Sequence, residues 1–375
     1  MKKVVVISDS FKGSLSSSQV SRVAAERIHK IWPDCQVVGL PVADGGEGTV
    51  ECFLEAIGGE LITVPVQGPW GEAMEAGYGR IGDAAVVEMA AAAGLPLVGS
   101  KKDPTRTTTY GVGMQIAHAV RNGAKRIILG LGGSATNDGG CGCAAALGVR
   151  FWDAEDREFV PVGGTLHKIA KFDCSAAQAL LQDVTVEVMC DIDNPLCGDR
   201  GAAAIFGPQK GADAAMIRLL DDGLLHMAQI VEQQQGRDVA MLPGAGAAGG
   251  FGAGAVAYLN AVLRPGIEVV LDMVQFREQL DGCDLVITGE GRIDGQSLGG
   301  KVPVGVARRA AGSGVPVVAI VGITGDGYEA VYAEGITAVF NTNRAGLPFE
   351  KIRDRGEADY AAAMDDVLRL WAAAK

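Results

Sequence analysis

The chain has few aromatic residues, 5% of its 375 positions, and fewer basic than acidic ones, 33 Lys and Arg against 45 Asp and Glu. The resulting net charge of -12 removes the general attraction that nucleic acid or an anionic membrane surface requires, so neither is expected as a partner. Any anionic ligand must instead be met by locally placed cations. No apolar run reaches the ~18 residues of a membrane span. The longest, Ala84 to Gly99, is interrupted by Glu88 and Pro96. The apolar start Val4-Val5-Val6-Ile7 is too short for a secretion segment and has no small-residue cleavage site, so a cytoplasmic protein is expected. The eight cysteines include no C-x-x-C pair, which argues against a zinc site. Their wide spread suggests reduced core thiols rather than disulfides. Ser134 lacks a G-x-S-x-G elbow because Thr136 replaces the last glycine, and His29, His118, His167 and His226 lie away from the glycine-rich loops. A Ser-His-Asp hydrolase is therefore disfavoured.

What the chain has in abundance is glycine, 54 residues in clusters without a G-X-Y period, as expected of many tight loops. At ~150 residues per domain, the length predicts two domains. Val/Ile/Leu runs that end in Gly or Asp alternate with Ala-rich helical stretches, the pattern of a parallel sheet covered on both faces. Strands are predicted over 4–7, 36–40, 126–131, 184–189, 284–288, 315–321 and 337–340, and helices over 18–31, 109–122, 213–234, 304–312 and 357–374. Residues 61–89 alternate in short runs broken by Gly and Pro, as antiparallel hairpins do. The expected fold is α/β. A doubly wound Rossmann-like parallel sheet (1–64 and 272–375) is interrupted by an inserted α/β domain (65–271), with the active site in the interdomain cleft.

Several loops at predicted strand ends could carry chemistry. Ser8-Asp9-Ser10-Phe11-Lys12-Gly13-Ser14 follows the first strand and is expected to open a helix, with Lys12 available to an anion. Ala43-Asp44-Gly45-Gly46-Glu47-Gly48 sets two carboxylates among three glycines. Gly130, Gly132 and Ala135 satisfy G-x-G-x-x-A after a strand, with Asp153 about 20 residues on, so a nicotinamide-dependent oxidoreductase competes. Gly244 to Gly249 also spells G-x-G-x-x-G but follows no strand. Gly295 to Lys301 fits G-x-x-x-x-G-K, yet Val302 stands where a P-loop needs Ser or Thr. Cys190-Asp191-Ile192-Asp193-Asn194-Pro195 follows a buried strand, and two carboxylates at i and i+2 could face one Mg²⁺ or one hydroxyl. Each of these segments also reads as a simple turn or helix cap.

Taken in order, SDSFKGS, PVADGGEGT, LGGSATNDGG, CDIDNPLCG, FGPQKGA, GAGAAGG and TGEGRIDGQSLGGK resemble the bacterial glycerate kinase family from Ser8 to Lys301. Ser8 stands where that family would be expected to carry Pro, with Asp9 and Lys12 in place. The resemblance implies ATP-dependent phosphorylation of D-glycerate to 2- or 3-phosphoglycerate, with ATP and Mg²⁺ required. A kinase for a small hydroxy acid must neutralise phosphate and carboxylate charge, place Mg²⁺ and hold the hydroxyl. On that chemistry catalytic roles are assigned to Lys12, Asp191 and Asp193, the two aspartates serving as base or Mg²⁺ ligand. Substrate or phosphate contacts would come from Asp9, Ser10, Asp44, Gly45, Gly46, Gly132, Gly133, Ser134, Asn137, Lys210, Glu290, Arg292, Asp294 and Lys301. A homo-oligomer is compatible with this reading. The alternatives are the oxidoreductase and a non-catalytic metabolite sensor.

Overall fold

The computed structural model describes residues 1–42 and 45–374. The chain passes through β1 (Lys3–Ser8) and β2 (Gln36–Pro41), then β3 (Glu60–Gln67), β4 (Ala73–Ile81), β5 (Ala84–Glu88), β6 (Arg126–Gly130), β7 (Arg150–Trp152), β8 (Glu158–Phe159), β9 (Lys171–Asp173), β10 (Thr185–Met189) and β11 (Val262–Arg264). It returns through β12 (Leu285–Ile293), β13 (Val317–Thr324) and β14 (Ile336–Asn341). Two compact units result, one of Met1–Ala43, Glu55–Ile57 and Ile267–Lys375, the other of Asp44–Leu54 and Gly58–Gly266.

The first unit is a five-stranded, all-parallel sheet in the order β14-β13-β12-β1-β2. The β1 run KVVVIS is buried from Val4 to Ser8, because helices cover both faces of such a sheet and leave no polar side. Helices Ser17–Ile31 and Gly356–Ala373 supply Val20, Val23, Ile28, Tyr360, Met364 and Val367 to a core with Val4, Val6, Ile287 and Ile320. Each fully buried aliphatic side chain of this kind contributes about 1.5–3 kcal/mol. The first helix, predicted over 18–31, spans Ser17–Ile31. Phe11 to Leu15 closes a tight turn (Phe11 N to Leu15 O, 2.8 Å), and Ser16 then caps the helix with Gln19 in a capping box.

The second unit carries a six-stranded sheet, β11-β10-β6-β5-β4-β3, and a small antiparallel sheet, β8-β7-β9. β5, β6, β10 and β11 run parallel, whereas β3 and β4 form the antiparallel hairpin read from residues 61–89. In β3 only Val64 and Val66 are buried, an alternation fitting one covered face. Residue 65, the expected domain boundary, lies inside β3, and 271/272 lies inside the helix Gly266–Met273. The predicted boundaries therefore cut elements whose hydrogen bonding keeps them whole.

Candidate active site

In the first unit β1 and β12 lie side by side, and the strand order reverses between them: β1 leads to β2 on one side, β12 to β13 and β14 on the other. An open α/β sheet binds ligands at such a reversal, beyond the carboxyl ends of the two strands. Loop 9–14 and the end of β12 meet there, with Asp9 N donating to Gly289 O at 2.9 Å and Ser10 N to Asp9 Oδ1 at 2.6 Å. Gly289 must lack a side chain, since a Cβ would strike the Ile320 carbonyl and sit 3.0 Å from Ser8 Oγ. Lys12 is exposed at the tip of the turn.

β12 runs to Ile293, five residues beyond its predicted end, so Glu290 and Arg292 sit on a rigid strand rather than in a loop. Glu290 is 5% exposed, accepts a hydrogen bond from Ser297 Oγ at 2.9 Å and has Lys301 Nζ at 3.6 Å. Burial pushes its carboxyl up to about 7, aided by the nearby charges of Asp9 and Asp294 and opposed by Lys301 and Ser297. Asp294 pairs with Arg292 Nε at 3.0 Å and caps the 3₁₀ turn Gly295–Gly299 through Gln296 N. That turn brings Ser297 to Glu290, and Lys301 then opens the helix Val302–Ala310.

In the second unit the site is built on the loop after β6. Gly130 and Gly132 have no room for a Cβ because the backbone of Gly45 and Gly46 lies against them, and Gly132 N donates to Gly45 O at 2.9 Å. Asp44 lies outside the described residues. The glycines that match the dinucleotide pattern thus serve the packing of two loops. The following helix, Cys141–Ala146, starts six residues past Ala135, and Asp153 folds its own turn through Glu155 N and Arg157. These placements count against the oxidoreductase reading. Gly133 takes a left-handed conformation (φ +74°), after which Ser134, Thr136, Asn137 and Asp138 are all buried. The Asp138 carboxylate accepts from Thr109 N and Oγ1, Gly140 N and Gly142 N at 2.8–3.2 Å. Burial pushes its pKa up while these donors oppose the shift. Lys210 is 2% exposed and donates to Ser134 Oγ at 2.8 Å and Thr136 O at 2.6 Å. The side-chain atoms of Asn137 and Thr136 Oγ1 have no partner among the described residues. The GAGAAGG segment packs on this loop, with Gly249 O accepting from Gly139 N and Ala248 held at φ +51°.

The aspartates after β10 are not a matched pair. The strand stops at Met189, Asp191 Oδ1 accepts from Gly266 N at 2.7 Å, and the exposed Asp193 pairs with Arg200 at 3.0 Å. No group of three or more His, Cys, Asp or Glu poised for a metal occurs among the described residues. Mg²⁺ bound largely through substrate phosphates needs only one or two protein carboxylates, and Asp191, at the carboxyl end of a parallel strand, fits that demand. Asp193, turned to Arg200, does not.

Sequence reasoning left out Asp138, Thr109, Ser297 and Glu88 as site residues. Glu88, at the end of β5, accepts from Val50 N at 2.6 Å and so caps the helix Thr49–Ile57 behind the GGEG loop. Its position near the end of the hairpin-like stretch 61–89 was the one available signal for it. The roles of Asp138 and Ser297 depend on contacts from elsewhere in the fold.

The family model described as "Glycerate kinase family" matches residues 4–372. A glycerate kinase of Halalkalibacterium halodurans is 46% identical, covering 99% of each chain, and a glycerate 2-kinase of Escherichia coli is 48% identical, covering 90% of each. A crystal structure of a Salmonella typhimurium LT2 protein assigned as glycerate kinase 2 superposes with a TM-score of 0.85 at 42% identity, over 100% of this chain and 99% of that one. With the whole of its folded length matched at this identity, the chain belongs to the glycerate kinase family.

Proposed function

We propose that this protein transfers the γ-phosphoryl group of ATP to a hydroxyl of D-glycerate, giving 2- or 3-phosphoglycerate and ADP. The observation that carries the reading is family membership over the full chain, joined to the acid-base cluster of Asp9, Glu290, Ser297 and Lys301 at the strand-order reversal. Phosphoryl transfer demands placement and charge neutralisation more than covalent help from the protein. The attacking hydroxyl oxygen forms a bond to Pγ as the bond from Pγ to the β,γ-bridging oxygen breaks, and the hydroxyl proton needs an acceptor. Glu290, with a carboxyl pushed up to about 7, is matched to that task at neutral pH. Lys12, Arg292 and Lys301 supply cations for phosphate and carboxylate charge, and Asp9, Ser10 and Asp294 orient these groups.

The loop Gly132, Gly133, Ser134 and Asn137 is read as the holder of the nucleotide phosphates, with Gly45 and Gly46 packed behind it. Asp191 would hold Mg²⁺, which when bound draws charge from the phosphate oxygens. All eight cysteines are free, as suits the reducing cytoplasm. Phosphorus NMR of the full chain with ATP, D-glycerate and Mg²⁺ tests the proposal and reports which hydroxyl is phosphorylated. ADP appearing without any phosphoglycerate resonance, or NADH formed from glycerate and NAD⁺, would sink it.

A further inference from the structure

An ammonium buried as deeply as that of Lys210 carries a desolvation cost that a surface lysine would avoid. Its two hydrogen bonds turn it onto the glycine-rich loop itself, a different placement from the direct anion contact expected from the sequence. The chemistry of its two bonds suggests another role. An ammonium has three donor hydrogens and no lone pair, so Ser134 Oγ, 2.8 Å away, can only accept from it. The hydroxyl hydrogen of Ser134 is thereby directed elsewhere, and no acceptor for it occurs among the described residues. Beside it stand two more buried groups without partners, Thr136 Oγ1 and the Asn137 side-chain amide. Buried polar groups left unsatisfied are costly, and a run of them on one glycine-rich loop points to a ligand rich in acceptor oxygens.

We propose that Lys210 is a positioning residue whose buried ammonium turns the Ser134 hydroxyl into a hydrogen-bond donor for a phosphate oxygen of the nucleotide. The inference rests on the reading of the 132–137 loop as the phosphate holder. It also gives the FGPQKGA motif a physical purpose. The short 3₁₀ turn Pro208–Lys210 ends in left-handed Gly211, packed on Lys102 where a Cβ would not fit, and this fixes the approach of Lys210 to the loop.

Protonation of Lys210 decides the polarity of Ser134. Burial pushes the Lys210 pKa down to about 7, and the Asp138 charge opposes the shift. Asp138 is held by Thr109, Gly140 and Gly142, while the neighbouring exposed Lys102 donates to Gln209 O. Once deprotonated, the Lys210 amine has a lone pair that can accept the Ser134 hydroxyl hydrogen, and the donor is withdrawn from the ligand.

The test is calorimetric binding of ADP to the full chain at pH 6 and pH 8.5, for wild type, Ser134→Ala, Lys210→Met and the double variant. A hydrogen bond to a charged oxygen corresponds to about a 10-fold change in Kd or more. Wild type should lose roughly that factor, relative to Ser134→Ala, between pH 6 and pH 8.5; titration of ADP itself is common to both proteins and cancels. Lys210→Met should bind like Ser134→Ala, and the double variant no worse than either. Wild-type affinity in Ser134→Ala at both pH values would overturn the reading of the loop as phosphate holder. Weakened binding in Ser134→Ala with the pH dependence intact, or additive losses in the double variant, would overturn the role of Lys210 alone. If Lys210→Met does not fold, the pH comparison of wild type with Ser134→Ala still decides.

Discussion

Lys301 Nζ stands 3.6 Å from the buried carboxylate of Glu290, a neighbour brought by the 3₁₀ turn Gly295–Gly299. The cation lowers the Glu290 pKa against burial, so Lys301→Met should raise it further. The acid limb of the kcat/KM profile for glycerate phosphorylation should then move to higher pH, with turnover at pH 7 lowered ~10-fold or more. A profile with the wild-type limb would separate Glu290 from the proton transfer.

The same carboxyl makes stability pH-dependent. Its folded pKa of about 7 exceeds the ordinary 4.5, so between those values the folded state holds a proton that the unfolded state has lost. Stability contributed by the neutral form is fully present below about 4.5 and is lost as pH rises through 7. Glu290→Gln should therefore melt close to wild type at pH 5 and above it at pH 8, while losing activity. Calorimetric melting at both pH values checks the sign.

Lys12 lies exposed on a turn closed by backbone bonds, so Lys12→Met should leave the melting temperature nearly unchanged. Its loss of an anion contact should appear in kinetics as a raised KM or lowered kcat. Unaltered constants for both substrates would take Lys12 out of the site.

The two aspartates after β10 should part company. Asp191→Asn is expected to raise the Mg²⁺ concentration for half-maximal rate, with excess metal restoring part of the activity. Asp193→Asn, which breaks only an exposed pair with Arg200, should stay within ~1 kcal/mol of wild-type stability and near its rate. Magnesium titrations of the steady-state rate distinguish them, and the reverse ranking would reassign the metal ligand.

Gly132→Ala would place a Cβ 2.5 Å from Gly46 Cα. Because neither backbone can give way cheaply, a loss of about 1–3 kcal/mol in urea denaturation is expected, together with weaker ADP binding. Unchanged stability would mean that the two loops do not pack this tightly.

The sequence by itself determined the α/β class, the uninterrupted apolar runs of β1 and β12, the hairpin of residues 61–89, and the places where glycine-rich loops leave the sheets. Those are local properties, set by periodicity, by turn chemistry and by where apolar runs stop. Even the pairing of the first two strands with the last three could be read, since only they share a doubly wound pattern. Tertiary structure alone decided what each loop residue does. Lys12 and Lys210 look alike in sequence, each a lysine beside glycine in a loop, yet one is exposed and the other buried against Ser134. Asp191 and Asp193 share a spacing, but Gly266 and Arg200, brought in from other segments, draw them to different partners. Glu290 acquires its shifted pKa only because β12 continues past its apolar stretch and the next turn folds Ser297 back over it. Burial and charge pairing arise where distant segments meet, and no local pattern of residues encodes that meeting.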